Sequence, residues 1–280
     1  MQAMPVWRDM LAATATMGVD MGSEYEFVLS EREGDTVTIW LDNPNRLNVL
    51  TRAMIGELTA AFNEAGDSSA TGVILAAKGR LFCAGHDFGE MAGKQLREVR
   101  DLFRSSTEMM ETMQTIPQPV VARVHALATG AGCQLVATAD LAVASEDASF
   151  CTPGGKGGLF CTTPMVAVGR SIGRKRALEM SMSGEPIDAR TAEAWGLINR
   201  VVPADQLEEA TAQFLGRVTR GSVTSKGVGK LAFYAQIGLD QVNAYAYAVE
   251  VMAEASISPD AQEGITAFIE KRPPVWDTPT

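Results

Sequence analysis

The chain has 280 residues, 46% of them apolar and 21% charged, with a formal net charge of −10; it can bury a sizeable core and is too apolar to be disordered. The acidic balance excludes a general nucleic-acid surface, because phosphate binding needs clustered Lys and Arg, so an anionic ligand requires a local basic patch. Cys83, Cys133, Cys151 and Cys161 form no C-x-x-C pair and only two histidines accompany them, which argues against a zinc site or a disulfide framework. No apolar run reaches the roughly 18–20 residues of a membrane span, and the start lacks the basic n-region and long h-region of a secretory signal. These features predict a cytosolic protein with no membrane span, no nucleic-acid partner and no metal.

Residues 1–23 carry Met4, Met10, Met17 and Met21 without clean periodicity and read as a loose leader before an α/β core over residues 24–203 and a helical region over 204–280. From Tyr25, YEFVLSE and TVTIWLD read as strands joined by the turn EREGD. TRAMIGELTAAFNEAG then reads as an amphipathic helix with Thr51 as N-cap, and TGVILAA as a buried strand. A helix ending near Thr115, the strand PVVARV, a small-residue helix from about Ala131 and the strand LAVAS continue the alternation, which is an α/β crossover pattern. Beyond Pro203 the strand signals stop, and helices are predicted at about 205–220, 223–236, 240–255 and 259–271. In the last, Ser258 caps, Pro259 and Asp260 suit the start, Lys271 and Arg272 the end, and Pro273 stops it; Ile265, Phe268 and Ile269 form its apolar stripe. A terminal helical part of this kind serves packing or oligomerisation more often than catalysis.

Two segments can carry chemistry. LFCAGHDFGEM, residues 81–91, follows a buried strand, and Gly79 and Gly85 let its backbone turn tightly and expose N–H groups. In VHALATGAGCQLVATAD, residues 124–140, a strand runs through Gly130, Ala131 and Gly132 into a helix of small residues, whose N-terminal amides can hold an anionic oxygen. Each has a plain alternative, a polar loop and a tightly packed core helix. If two N–H donors from these loops converge, they form an oxyanion hole, in which one donor is typically worth about 3–4 kcal/mol of transition-state stabilisation.

The A-G-H-D loop, the G-A-G-x-Q-L helix start, LEMSMSGEPIDARTAEAWGLINRVVP and the ending FIEKRPPVW together resemble the enoyl-CoA hydratase/isomerase, or crotonase, superfamily. Within it, TPGGKGGLFCTTP resembles the enoyl-CoA hydratase domain-containing branch. The resemblance implies a crotonase-like α/β spiral of strand-strand-helix units with a helical C-terminal region that builds a homotrimer or a dimer of trimers. It places the family's oxyanion amides on His86 and Ala131, with the thioester oxygen of an acyl-CoA between them. The backbone from Ala84 through Asp87 to Phe88 would run beside the adenine and pantetheine. Arg46 would approach the nucleotide, and Lys271 a coenzyme A phosphate of a neighbouring subunit. Coenzyme A enters as part of the substrate, with no tightly bound cofactor.

Relatives that hydrate enoyl thioesters use two glutamates to activate water; here those positions are Gln134 and Gly154, and neither titrates. Gln134 can still bond a water or hydroxyl, and Gly154 is expected to leave a void. Among replacements, Asp87 reads as a loop cap, Lys156 as a solvated charge, Glu108 and Glu111 as exposed helix residues, and His125 as structural; the His86 imidazole is the one able to titrate near neutrality. Leu159, Phe160, Met165 and Trp195 could line an acyl chamber but are core residues by default. Three readings stay open: a hydratase or isomerase relative with atypical chemistry, a silent acyl-CoA-binding protein, and a thioester hydrolase or decarboxylase.

Overall fold

The computed structural model describes residues 25–276; the leader expected over residues 1–23 lies outside them. Strands β1 (Val28–Glu33) and β2 (Thr36–Leu41) pair antiparallel from Val28↔Leu41 to Glu33↔Thr36. The turn is therefore shorter than EREGD suggests. Glu31, Arg32 and Glu33 stay in the ladder because Gly34, at φ +57°, supplies the positive φ that a two-residue hairpin requires.

Helix α1 (Arg52–Asp67) starts where Thr51 predicts, its hydroxyl accepting from the Met54 amide at 3.1 Å. Strand β3 (Gly72–Ala77), helix α2 (Leu96–Thr115) and strands β4 (Val120–Val124) and β5 (Ala128–Thr129) follow, then α3 (Ala131–Thr138), β6 (Leu141–Ser145) and β7 (Ser149–Cys151). Next come α4 (Pro164–Ile172), α5 (Arg174–Ser183), β8 (Ile187–Asp188), α6 (Ala189–Trp195) and β9 (Arg200–Val202). After β9 the described residues form only helices: α7 (Leu207–Thr219), α8 (Val223–Gln236), α9 (Gln241–Ser256) and α10 (Pro259–Glu270). The main sheet has the order β1-β2-β3-β4-β6-β9, parallel beyond the first pair, and β5-β7-β8 form a second, small sheet.

Alternation along the central strands sends successive side chains to two different cores. Val73 and Leu75 of β3, Val120, Ala122 and Val124 of β4, and Ala142 and Ala144 of β6 join Met54, Leu58 and Phe62 of α1 and Met109 and Met113 of α2 in the larger one. Ile74, Ala76, Val121 and Val143 face the other way, onto Leu207, Phe214 and Leu215 of α7. Coverage on both faces is why GVILAA reads as an unbroken apolar run.

Helix α8 is fastened to this core by a buried ion pair. Lys230 Nζ lies 2.7 Å from Asp140 Oδ2 and also donates to the Met113 and Gln118 carbonyls, at 2.8 and 2.7 Å. Asp140 accepts in addition from the Val120 amide at 2.7 Å and from the Tyr234 hydroxyl at 2.8 Å. Burial lowers the Lys230 pKa and raises those of Asp140 and Tyr234. Beyond α8 the packing thins. Helix α9 has no buried residue, and Val242, Tyr245, Val249 and Met252 make an exposed apolar stripe along it. In α10, Ile265, Phe268 and Ile269 are likewise exposed.

Candidate active site

The first loop of the site is held from below by Asn48, a fully buried residue in left-handed conformation that reading the sequence missed. Its Nδ2 donates to the carbonyls of Lys78, Leu81 and Phe82, at 2.8, 3.1 and 3.1 Å, and its Oδ1 accepts from the Asn43 amide at 2.9 Å. His125 pins the same turn from the other side, with Nε2 2.8 Å from the Gly79 carbonyl, in keeping with a structural histidine. Leu50 then bridges the loop like a parallel strand: its amide donates to the Gly85 carbonyl at 2.8 Å and its carbonyl accepts from the Asp87 amide at 3.2 Å. Backbone groups alternate in direction along an extended segment, so the intervening His86 N–H points away from Leu50. Among the described residues it has no acceptor.

The second loop is the start of α3. Gly130, at φ +57° and ψ −118°, turns the chain from β5 into the helix while its amide donates to the Cys151 carbonyl at 2.9 Å. A glycine at the N-cap offers no side-chain acceptor, so the Ala131 N–H, in the first turn, is unpaired among the described residues. Glycines let the two loops meet. A Cβ on Gly85 would lie 3.0 Å from the Thr129 carbonyl oxygen and 3.2 Å from the Ala131 nitrogen, and one on Gly132 would lie 2.4 Å from the Cys83 carbonyl oxygen. The amides singled out in the sequence, His86 and Ala131, thus stand on touching loops, each without an acceptor among the described residues.

One turn along α3, Gln134 is 5% exposed, and its Oε1 is closed to solvent without a hydrogen-bond partner among the described residues. The Gly154 position differs from expectation. No void exists there: a Cβ would lie 2.1 Å from the Leu159 carbonyl oxygen and 2.7 Å from Cys161 Sγ. The loop has folded back over the glycine, with the Leu159 amide donating to the Gly154 carbonyl at 2.9 Å and the Gly154 amide to Cys161 Sγ at 3.3 Å.

The other titratable side chains are engaged elsewhere. The His86 imidazole turns toward α2, with Nε2 3.0 Å from Ser106 Oγ and its ring edge-on to Phe103 at 5.1 Å. Burial depresses its pKa to about 4, so it is neutral near neutrality. Asp87 caps the turn at Phe88–Glu90, accepting from the Gly89 amide at 2.9 Å, and holds Arg46 at 2.7 Å. Lys156 pairs with Glu185 in solvent, and Glu108 and Glu111 are exposed on α2. Burial pushes the Cys83 thiol up to about 12, and it raises the Cys133, Cys151 and Cys161 thiols as well.

Of the residues expected to meet coenzyme A, Ala84 is tied to the first helix entry by its amide, which donates to the Leu47 carbonyl at 3.1 Å. Phe88 projects into solvent at 71% exposure. Lys271 caps α10 in left-handed conformation, φ 58°, and nothing among the described residues bonds it to the loops around His86 and Ala131. Met165 and Trp195 pack against the larger core, whereas Leu159 and Phe160 are exposed on their loop.

Comparison with known proteins identifies the family and the fold. A family model described as enoyl-CoA hydratase/isomerase matches residues 31–279. The chain is 44% identical over 250 residues to the enoyl-CoA hydratase domain-containing protein 3, mitochondrial, of Rattus norvegicus, covering 88% of this chain and 83% of that protein. To the Homo sapiens protein of the same name it is 40% identical over 250 residues, covering 88% and 82%. Among solved structures, an enoyl-CoA hydratase of Mycobacterium smegmatis superposes with a TM-score of 0.87 at 43% identity, covering 90% of this chain and 100% of that one. The crystal structure of the human enoyl-CoA hydratase domain-containing protein 3 does so at 0.86 and 40%, with the same coverage. The fold is therefore crotonase-like, with C-terminal helices. The relatives overturn the cytosolic expectation, since those from rat and human are mitochondrial by name; a start without a secretory signal bears on export and says nothing about entry into an organelle. The chain belongs to the enoyl-CoA hydratase/isomerase family.

Proposed function

We propose that the chain binds acyl-CoA thioesters and stabilises the enolate form of the acyl group between the amides of His86 and Ala131, with hydration of the double bond reduced by orders of magnitude. The observation that carries this reading is the pair of unpaired N–H groups on two touching loops. Fixed donors aimed at a developing oxyanion need no reorganisation during reaction, which is why such pairs are effective. Hydration is a different matter. A positioned acid or base is typically worth about 10²- to 10⁴-fold, and at the family's two acid positions this chain has an amide and a glycine without room for a side chain.

Arg46, Asp87 and the exposed Phe88 lie on or beside the first loop and are proposed to border the adenine and pantetheine, with coenzyme A arriving as part of the substrate. The stripe on α9 and the exposed Phe268 and Ile269 of α10 support self-association, proposed as a trimer or a dimer of trimers in which Lys271 serves a neighbour's site. A second reading, a silent acyl-CoA-binding protein, is favoured by the closed Gly154 position and by an imidazole turned into α2.

The test is calorimetry with butyryl-CoA and with its thioether analogue, which lacks the carbonyl, together with a crotonyl-CoA hydration assay. Two amide hydrogen bonds to the carbonyl make the thioester bind about tenfold tighter or more. Equal affinities would remove the oxyanion role. Turnover within about tenfold of an ordinary hydratase would remove the claim that the missing acids matter.

A further inference from the structure

Helix α2 has a face that the described residues leave uncovered. Leu102, Ser106, Met109, Met110 and Met113 turn inward, while Leu96, Val99, Phe103 and Thr107 floor a shallow groove of about 580 Å³ on another side of the helix. Leu96, at 71% exposure, is the most open of them. Arg100, Arg104, Glu108 and Glu111 border the same groove and are exposed. Among the described residues no ion pair or side-chain hydrogen bond involves any of these four. Arg104 and Glu108 are four apart, but with the base N-terminal to the acid, which is the weaker orientation on a helix.

The order of the charges indicates the occupant. Both bases precede Ser106 and both acids follow it at nearly matched distances: Arg104 and Glu108 stand two residues to either side, Arg100 and Glu111 six and five. A helix so marked is complementary to a copy of itself laid antiparallel about a two-fold axis level with residue 106, an isologous arrangement. Arg100 then meets the partner's Glu111 and Arg104 the partner's Glu108, and symmetry makes each pair twice. A parallel copy would set like charges together, and a partner of one sign would meet half of the face with repulsion. With a net charge of −10, two copies of the chain repel in most orientations; this face, with two charges of each sign, is one where they do not. We infer that α2 is a self-pairing surface through which two copies associate in antiparallel register over the stripe of Leu96, Phe103 and Thr107. The apolar floor supplies affinity and the ion pairs fix the register. The contact is separate from the proposed α9–α10 association and does not rest on the thioester site. It adjoins that site nonetheless, since Phe103 packs edge-on to the His86 ring and Ser106 bonds its Nε2.

The experiment is analytical ultracentrifugation of the full chain and of two double variants, Arg100→Glu with Arg104→Glu and Glu108→Arg with Glu111→Arg. Each variant gives the face a single sign, so each is expected to sediment at half the wild-type mass, with a dissociation constant raised about tenfold or more. Mixed one to one, the two variants are complementary again and are expected to regain the wild-type mass. A double variant that keeps the wild-type mass, or a mixture that stays dissociated, would overturn the inference. So would a wild type that sediments as a monomer or as a trimer, the second of which leaves the α9–α10 association standing. Should the variants fail to fold, salt decides. Paired charges make wild-type association weaken several-fold between about 0.05 and 0.5 M salt, whereas a purely apolar contact between acidic chains strengthens over that range; strengthening would overturn the inference.

Discussion

Gly154→Ala is the smallest perturbation that tests whether the loop over residues 152–161 has closed the second acid position. The added methyl group would lie 2.1 Å from the Leu159 carbonyl oxygen, and the neighbouring Cys161 Sγ is 2.7 Å away. Both distances are well inside van der Waals contact, and the first involves backbone, so the loop must move. Overpacking of this kind typically costs about 1–3 kcal/mol. The displacement also breaks the Leu159 amide to Gly154 carbonyl bond, with a net value of about 0.5–1.5 kcal/mol. A total near 3 kcal/mol corresponds to a melting temperature lower by about 6–12 °C for a chain of this size. Thermal unfolding followed by circular dichroism reads the shift directly. A variant melting within about 2 °C of the wild type would show that the loop accommodates a side chain freely and would refute the closed-position reasoning. The same closure implies that Gln134→Glu combined with Gly154→Glu gives a destabilised protein instead of a hydratase; ordinary hydratase turnover in that double variant would contradict it.

Other expectations follow from particular contacts. Lys230→Met leaves Asp140 buried without its cation and should cost about 3–5 kcal/mol in chemical denaturation; a loss below about 1 kcal/mol would mean that α8 is held mainly by apolar contact. Asn48→Ala removes the two N–H donors that three carbonyls share at the base of the first loop and should cost about 2–4 kcal/mol, with thioester affinity falling alongside; unchanged affinity in a folded variant would separate this residue from the site. His86 has a folded pKa of about 4 against an ordinary 6.5, so the unfolded chain binds the extra proton first on acidification. Its contribution is full above the ordinary value and is lost as pH falls from about 6.5 toward about 4. His86→Gln should reduce the loss of unfolding free energy over that window, followed by chemical denaturation at a series of pH values, by about 1–2 kcal/mol, discounted for the half-buried ring; an unaltered profile would assign the acid sensitivity to other groups. If the proposed self-association runs through α9 and α10, Val249→Glu together with Phe268→Glu should shift the chain toward monomer in analytical ultracentrifugation; a monomeric wild type or an unchanged association state would contradict it.

Much of the sheet was legible from its apolar patterning: TGVILAA, PVVARV and LAVAS are nearly continuous buried runs that correspond to β3, β4 and β6, and TVTIWLD alternates as β2 does. Thr51 and Ser258 announced α1 and α10 through side chains that do accept from the Met54 and Ala261 amides. Strands β5, β7, β8 and β9 are two or three residues long, too short for alternation to register. Helices α4, α5 and α6 also escaped notice, although glycines of positive φ, Gly173, Gly184 and Gly196, end them and could have marked them. In the site, glycine spacing marked the two loops as places of close backbone approach, and only the resemblance to the family assigned the amides to His86 and Ala131. Asn48 was not legible, since its donors reach across the fold to residues about thirty positions later, with Lys78 the first of them. The Gly154 void was misread for a related reason: an absent side chain leaves space only if the surrounding backbone keeps its place, and here Leu159 has moved in.

The most direct measurement is a crystal structure of the protein with butyryl-CoA bound. The thioester carbonyl oxygen is expected within about 2.7–3.1 Å of both the His86 and the Ala131 backbone nitrogens. A bound thioester whose carbonyl lies outside hydrogen-bond reach of that pair, or an occupied site in which those amides bond to protein acceptors instead, would contradict the account.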